Sequence, residues 1–226
     1  MQIAILLYDR FTALDAIGPY EVLSRLRGSE VIFTAEREGR VRTDTGMLAV
    51  TADAALADVP HPDILLVPGG PGQEGQMDDG PVHEWLRQAD ATTSWTTSVC
   101  TGSLILAAAG LLGGRRATSH WLALDRLPEL GVKPVRERVV TDGKYVTAAG
   151  VSAGIDMALG LSGRIAGRPA AQAIQLMIEY DPQPPYNAGS PRSAPPDLVT
   201  SMRLRSRHTA DELVADQSGS SGRGPA

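Results

Sequence analysis

Short apolar runs bounded by polar turn residues recur along the first half of the chain. Four of them, at residues 2–7, 31–35, 64–67 and 95–99, have the length and composition of β-strands. Patterns of helical period lie between several of these strands, and such alternation is typical of βα units. The chain is therefore predicted to have an α/β fold with a mostly parallel sheet.

Six segments carry the signals of helices. The predicted helices span residues 18–26, 81–89, 102–112, 122–127, 153–165 and 169–179. The last of them opens with a proline at a first-turn position, where proline is favoured. Between the fourth and the fifth, residues 135–140 and 144–147 flank an Asp-Gly dipeptide, which is a strong hairpin signal. This hairpin need not belong to the parallel part of the sheet.

The chain changes character from Asp181 onward. Prolines recur between residues 182 and 196 and forbid a continued helix, so we predict an extended strap that lies on the fold. A short helix can form around residues 198–205, and the Gly- and Ser-rich residues 217–226 are typical of disorder. We predict one domain over residues 1–200, with the strap from about residue 181, followed by a largely disordered tail at 201–226.

Composition and charge exclude several classes of partner. The 226 residues carry a net charge of -5, and no basic run is longer than Arg115-Arg116, which argues against a nucleic-acid partner. No apolar stretch approaches the ~20 residues that span a bilayer. A single cysteine cannot form an internal disulfide, and the first residues lack the features of a signal peptide. A cytoplasmic protein without membrane association is predicted.

The one cysteine, Cys100, stands where the fourth strand ends and a helical pattern begins. Free cysteine usually behaves as a small buried hydrophobe, so core filling is the alternative interpretation. The small residues Gly102 and Ser103 directly after the sulfur nevertheless favour a sharp strand-to-helix turn that presents the side chain. A thiol at a helix start can have a lowered pKa and react as the thiolate. Cys100 is therefore a candidate nucleophile.

Further candidates follow the ends of other predicted strands, where ligands bind in parallel sheets. Asp15 follows the first strand just before the predicted helix, and a solvated N-cap is its alternative role. The Pro-Gly-Gly-Pro-Gly loop at residues 68–72 can offer backbone N–H groups to a ligand or serve only as a tight turn. His120, after residues 117–118, is either a base or a structural residue.

Two absences narrow the chemistry. The spacing of the histidines and the one cysteine fits no zinc site. A cysteine hydrolase of the triad type needs a histidine that takes the thiol proton, whereas Thr101 follows the cysteine here. His120 is the nearest remaining histidine, and among carboxyl groups Asp15 is the best placed for acid–base chemistry.

Four segments of the chain, at residues 15–22, 67–70, 99–103 and 117–121, together resemble the DJ-1/PfpI superfamily. The resemblance covers about residues 1–200. Within that superfamily, three features are similar to the isonitrile hydratase branch: Cys100-Thr101-Gly102 in place of Cys-His-Gly, an aspartate before Gly18-Pro19, and the proline-rich residues 179–191. The last of these is the most specific.

This resemblance implies a flavodoxin-like three-layer sandwich, a homodimer, and the hydration of a small isonitrile to an N-substituted formamide without metal or organic cofactor. It implies that Cys100 is the nucleophile, Asp15 the acid–base partner and Thr101 a third catalytic residue. The N–H groups of Gly70 and Thr101 would point toward developing charge. The residues that would bind the substrate are Ile17, Gly70, His120 and Gly150.

The leading hypothesis is that protonated Asp15 transfers its proton to the isonitrile carbon while the Cys100 thiolate attacks it, giving a thioimidate that water then hydrolyses. A protonated aspartate near neutral pH requires a raised pKa. Two alternatives remain open: a non-enzymatic ligand sensor related to the input domains of transcription regulators, and a glyoxalase-like or redox stress protein. About 25 residues follow the strap, too few for a helix-turn-helix module.

Overall fold

A seven-stranded sheet runs through the centre of the fold. The structure, a computed structural model, describes residues 1–205. The strands in spatial order are β10 (Val139–Asp142), β11 (Tyr145–Ala148), β7 (Trp95–Val99), β6 (Ile64–Val67), β1 (Gln2–Leu6), β2 (Glu30–Ala35) and β5 (Ala54–Ala55). Neighbouring strands are parallel, apart from the antiparallel pair β10 and β11 at one edge. The predicted mostly parallel sheet is confirmed.

Helices cover the sheet. They are α1 (Ala13–Leu23), α2 (Pro81–Asp90), α3 (Gly102–Ala108), α4 (Ala153–Ala166) and α5 (Arg168–Met177), with 3₁₀ turns at Leu56–Asp58, Pro71–Gln76 and Leu124–Leu130. α4 packs between α1 and α5, whereas α2 packs on α3, so two groups of helices flank the sheet in three layers. Both faces of the central strands are thereby covered, and all four residues of β6 are buried.

The strand register aligns the carboxyl ends of several strands, so that they terminate on the same side of the sheet. Val67, the last residue of β6, pairs with Ser98 of β7, and Val99 pairs with Ala148, the last residue of β11. The residues that follow these strands therefore lie close together beyond the carboxyl ends of the sheet. Cys100 and the glycine-rich loop after Val67 are among them, as expected for a ligand site in a parallel sheet.

Two small sheets add elements that the sequence patterns did not predict. β3 (Gly39–Arg42) and β4 (Ala49–Ala52) form an antiparallel hairpin, and β8 (Arg116–Ala117) pairs in parallel with β9 (Lys133–Pro134). Each of these strands has only two to four residues, so the period-two signal is weak. The predicted helix at 122–127 is instead the 3₁₀ helix Leu124–Leu130. The helix predicted at 102–112 ends earlier, at Ala108, two residues before Gly110.

The first helix begins five residues earlier than predicted. Gly18 and Pro19 suggested a helix start, but both lie inside α1 because this helix packs very closely on α4. A Cβ added to Gly18 would lie 3.1 Å from Ile155 Cγ1, and one added to Gly154 would lie 3.1 Å from Pro19 Cγ. Asp15 is consequently a residue of the first turn of α1, fully buried, and the solvated N-cap interpretation is wrong.

The chain separates into two compact units, Met1–Tyr180 and a second that starts at Asp181. In the second unit, residues 181–195 form bends and turns, and residues 196–205 are helical, close to the short helix considered for 198–205. The contact of a strap with the fold stays a prediction. Of the largely disordered tail predicted at 201–226, residues 201–205 are helical, and the remainder lies outside the described residues.

Candidate active site

Cys100 occupies a strained turn between β7 and α3. Its φ angle is +59°, in the left-handed region that residues other than glycine rarely adopt. Neighbouring groups hold the turn: the Cys100 N–H donates to Ala148 O (3.1 Å) and Ala149 O (2.9 Å), while the Cys100 carbonyl accepts from Ser119 Oγ (3.0 Å) and Ser103 Oγ (3.2 Å). Strain of this kind persists where the surroundings over-determine it, and such positions cluster at active sites.

Two glycines let this turn approach the loop after β6. A Cβ added to Gly102 would collide with Val67 O, and one added to Gly69 would collide with Thr101 N and lie 2.8 Å from Cys100 Cβ. No side chain fits at either position without movement of the backbone. The predicted strand-to-helix turn at Cys100 is therefore confirmed, and Gly102 is the small residue that allows its close packing.

The Asp15 carboxyl faces the sulfur from α1. Its Oδ2 accepts the Gly69 N–H at 2.9 Å, whereas Oδ1 is buried and forms no well-oriented hydrogen bond within residues 1–205. The Cys100 thiol is near enough for the two groups to share a proton. Burial raises the pKa of Asp15 to about 7, against the lowering effects of the Gly69 N–H and the thiol, and the charge of Asp44 raises it further.

The thiol pKa moves in the direction opposite to that expected at a helix start. Burial is the main cause of its rise, and the Asp15 charge adds to it, whereas the N–H groups of Thr101 and Val151 lower it. α3 has only seven residues, so its dipole offsets little of this desolvation. Near neutral pH, Cys100 and Asp15 together therefore hold one to two protons, and the sulfur is not a free thiolate.

Thr101 joins the turn to the glycine-rich loop through its hydroxyl. Thr101 Oγ1 accepts the Gly70 N–H at 2.9 Å and lies 3.3 Å from Gly70 O, to which it donates. The Gly70 N–H is thus already engaged, which corrects the expectation that it points toward developing charge. The Thr101 N–H is directed at the sulfur instead.

His120 and Gly150, two of the predicted pocket residues, are in contact. A Cβ added to Gly150 would lie 2.6 Å from His120 Cδ2, so the ring lies directly against the glycine. His120 Nδ1 accepts the Leu122 N–H at 3.4 Å, which leaves the proton on Nε2. Burial lowers the pKa of His120, so it stays neutral at pH 7. Ile17 is half-buried on α1, and its contact with a substrate stays a prediction.

Tyr8 is a site residue that the sequence patterns missed. It lies two residues after the end of β1, is buried, and its hydroxyl donates to Pro68 O at 2.9 Å. Burial raises its pKa, and the charges of Asp15 and Cys100 raise it further, so the phenol borders the reactive pair. Its position after a strand at the carboxyl edge of the sheet was the available signal.

Residues 1–205 contain neither a metal-binding cluster nor a membrane-spanning helix. No group of three or more His, Cys, Asp or Glu side chains there could hold a metal ion. None of the helices in that part is long and apolar enough to cross a bilayer.

Comparisons with known proteins identify the family to which the chain belongs. The model of the DJ-1/PfpI family matches residues 1–163. An isonitrile hydratase of Pseudomonas putida is 43% identical over 205 residues, which cover 91% of this chain and 90% of that protein. The HTH-type transcriptional regulator CdhR of Pseudomonas aeruginosa is 38% identical over 66% of this chain but only 45% of its own length. A solved THiJ/PfpI family protein from Pseudomonas syringae superposes with a TM-score of 0.87 at 38% identity, covering 95% of this chain and 86% of that one.

Proposed function

Since the chain belongs to the DJ-1/PfpI family, we propose that its buried Cys100–Asp15 pair hydrates isonitriles, R–N≡C, to N-substituted formamides. The observation that carries this proposal is the pairing of a thiol with a carboxyl whose pKa is raised to about 7. The 43% identity to an isonitrile hydratase over nearly the full length of both chains selects the substrate class.

The first half of the reaction adds S–H across one carbon. When the pair holds a single proton, that proton moves from the thiol to Asp15 as the sulfur attacks the terminal isonitrile carbon, and Asp15 passes it on to the same carbon. The C–S and C–H bonds form, the carbon lone pair is used, and the N≡C bond becomes N=C. The product is a thioimidate, R–N=CH–S–Cys100, beside an ionised Asp15.

Water completes the reaction. Asp15 takes a proton from a water molecule as its oxygen attacks the thioimidate carbon, then returns that proton to nitrogen. The O–H proton of the tetrahedral adduct next goes to Asp15 as the C=O bond forms and the sulfur leaves. R–NH–CHO is released, and the pair again holds one proton. One water is consumed, and no redox step occurs.

The surrounding groups position the pair and the substrate. The Gly69 N–H fixes Asp15 Oδ2, so Oδ1 is the oxygen left for proton transfer. Thr101 fixes the loop that carries this donor. His120, neutral with its proton on Nε2, and Gly150 form one wall of the substrate pocket, to which Ile17 and Gly70 also contribute. We further propose a cytoplasmic homodimer that works without a cofactor.

A ligand sensor is the second candidate function. The similarity to a transcription regulator over two thirds of this chain favours it. The chain spans 45% of the length of that regulator. A mobility-shift assay of the purified protein with promoter DNA tests for direct DNA binding, and light scattering tests the homodimer.

A formamide assay over a panel of alkyl and aryl isonitriles tests the enzymatic proposal. Wild-type protein should form the formamide, and Cys100→Ala should not. Ser162→Ala is the matched control, because it also removes a buried polar atom, one that donates only within α4 to Ala158 O (2.8 Å). Activity retained by Cys100→Ala would refute covalent catalysis. Inactivity of the wild type on the whole panel, with turnover of methylglyoxal, would instead support the glyoxalase-like alternative.

A further inference from the structure

The turn of the β3–β4 hairpin docks on the segment that precedes α1. The Arg10 N–H donates to Arg42 O at 2.9 Å, and the Asp44 N–H donates to Phe11 O at 2.9 Å. Phe11 and Thr43 form a parallel bridge between these two bonds. The hairpin turn is therefore held by backbone contacts against residues 10–12, three residues before Asp15.

Asp44 is held at this contact by two hydrogen bonds to its carboxyl group. Its Oδ2 accepts from Thr12 Oγ1 at 2.9 Å, and its Oδ1 accepts from the Thr45 N–H at 2.8 Å. Thr12 is the N-cap residue of α1, where a threonine hydroxyl ordinarily accepts an N–H of the first turn. Here Thr12 makes no such cap within the described residues. Its hydroxyl is turned to Asp44 instead.

Thr12 is connected to Asp15 along two backbone routes. The Thr12 carbonyl accepts the Asp15 N–H at 3.1 Å. The Thr12 N–H donates to Gly69 O at 2.8 Å, and the N–H of the same Gly69 donates to Asp15 Oδ2 at 2.9 Å. A displacement of Thr12 would therefore be transmitted both to the backbone of Asp15 and to the one N–H that orients its carboxyl group.

We propose that Asp44 is a positioning residue for the reactive pair: its carboxyl group anchors Thr12 and with it the first turn of α1 and the Gly69 N–H that orient Asp15. This proposal rests on the proposed isonitrile hydration for its catalytic meaning. Asp44 acts through Thr12 and through its charge.

The groups that face Asp15 come from three directions. They are the Cys100 thiol from the β7–α3 turn, the Tyr8 phenol from the end of β1, and Asp44 from the hairpin. The phenol is uncharged near neutral pH because its pKa is raised above the ordinary value of 10. The thiol lowers the pKa of Asp15, whereas the Asp44 charge raises it, and burial remains the larger cause. A nearby negative charge disfavours ionisation of a carboxyl group and so raises its pKa.

The test compares three variants. Asp44→Asn removes the charge but keeps an oxygen that accepts the Thr12 hydroxyl. Thr12→Val removes the hydroxyl and keeps the charge. Asp63→Asn is the control, because Asp63 likewise accepts a backbone N–H, from Gln2 at 2.7 Å, but precedes β6 at the opposite edge of the sheet. Far-UV circular dichroism and thermal melting establish that each variant is folded.

Two readouts are measured against pH. The first is kcat/KM for an alkyl isonitrile, and the second is the rate at which iodoacetamide alkylates Cys100, which requires no isonitrile chemistry. Both should rise with pH as the pair loses its first proton, because the singly protonated pair is the nucleophilic state. The Asp15→Asn variant should lack this rise.

Asp44→Asn should move the midpoint of both profiles to lower pH by about half a pH unit, as expected for loss of a nearby like charge. Thr12→Val should move it in the same direction by less and lower kcat. Asp63→Asn should leave it unchanged. Midpoints of Asp44→Asn and Thr12→Val that coincide with wild type would overturn the proposal. If the alkylation rate of the wild type rises with pH as expected but no isonitrile is turned over, the proposed function fails, while the alkylation profile still decides the role of Asp44.

Discussion

The buried Asp15 should make the stability of the fold fall as the pH rises toward neutrality. Burial raises its pKa from 3.8 to about 7 in the folded chain, whereas the unfolded chain has the ordinary value of about 3.9. Between these values the folded state keeps a proton that the unfolded state has released, so the free energy of unfolding decreases with pH. The stability that the fold gains from keeping Asp15 protonated is fully present below about pH 4 and is lost as the pH rises through 7.

The size of the effect follows from the pKa difference. About 3 pKa units, at 1.36 kcal/mol each, correspond to ~4 kcal/mol, or ~1.4 kcal/mol per pH unit inside the window. The Gly69 N–H and the Cys100 thiol already offset part of the burial cost, since both lower the pKa of Asp15. Cys100→Ala removes one of these groups and should extend the window to higher pH.

Urea unfolding of wild type and Asp15→Asn at pH 5, 6, 7 and 8 isolates this effect, because every other group titrates in both proteins. The amide keeps the size of the side chain and an oxygen for the Gly69 N–H. The variant should gain ~2 kcal/mol relative to wild type between pH 5 and pH 7 and little more above pH 7.5. A difference that stays constant over this range would refute a raised pKa of Asp15 and, with it, the proton-sharing pair.

Two further predictions concern the turn at Cys100. Thr101→Val keeps the shape of the side chain but leaves the Gly70 N–H without its acceptor. The kcat/KM for an isonitrile should therefore fall ~10-fold or more, as expected for an unpaired buried donor. Thr101→Ser keeps the hydroxyl and should retain most of the activity, and equal losses in both variants would contradict the role of the hydroxyl. Gly102→Ala should lower the free energy of unfolding by ~2 kcal/mol or more, because its Cβ would collide with Val67 O. Gly160→Ala, where a Cβ meets nothing within 4 Å, should be neutral or stabilising in the same denaturation experiment.

The parts of the fold that local pattern determines could be predicted from the sequence. β6 and β7 were predicted with their observed bounds, since short apolar runs between turns identify buried strands. The turn at Cys100 was predicted because Gly102 and the helical pattern after it are adjacent in sequence. The start of α1 was missed because Gly18 and Pro19 serve a close contact with α4, more than a hundred residues away, which no local pattern contains.

The electrostatics of the site were beyond local prediction for the same reason. The pKa of Cys100 depends on its burial and on Asp15, which is 85 residues distant in sequence, so the expectation from a helix start had the wrong sign. The β3–β4 hairpin has no strong period-two pattern, and nothing near Asp44 in the sequence indicates that it reaches Thr12. The Gly150–His120 contact likewise joins two segments thirty residues apart.

A raised thiol pKa suits the proposed reaction better than the lowered one expected for a reactive cysteine. A free thiolate would attack many electrophiles and oxidise readily. A sulfur that becomes nucleophilic only when its neighbour holds the proton requires a substrate that accepts both at once. The terminal carbon of an isonitrile is such a substrate, because the same atom takes the sulfur and the proton. The buried pair therefore favours substrates that accept a proton together with the sulfur. Electrophiles that need only a thiolate should react slowly with Cys100.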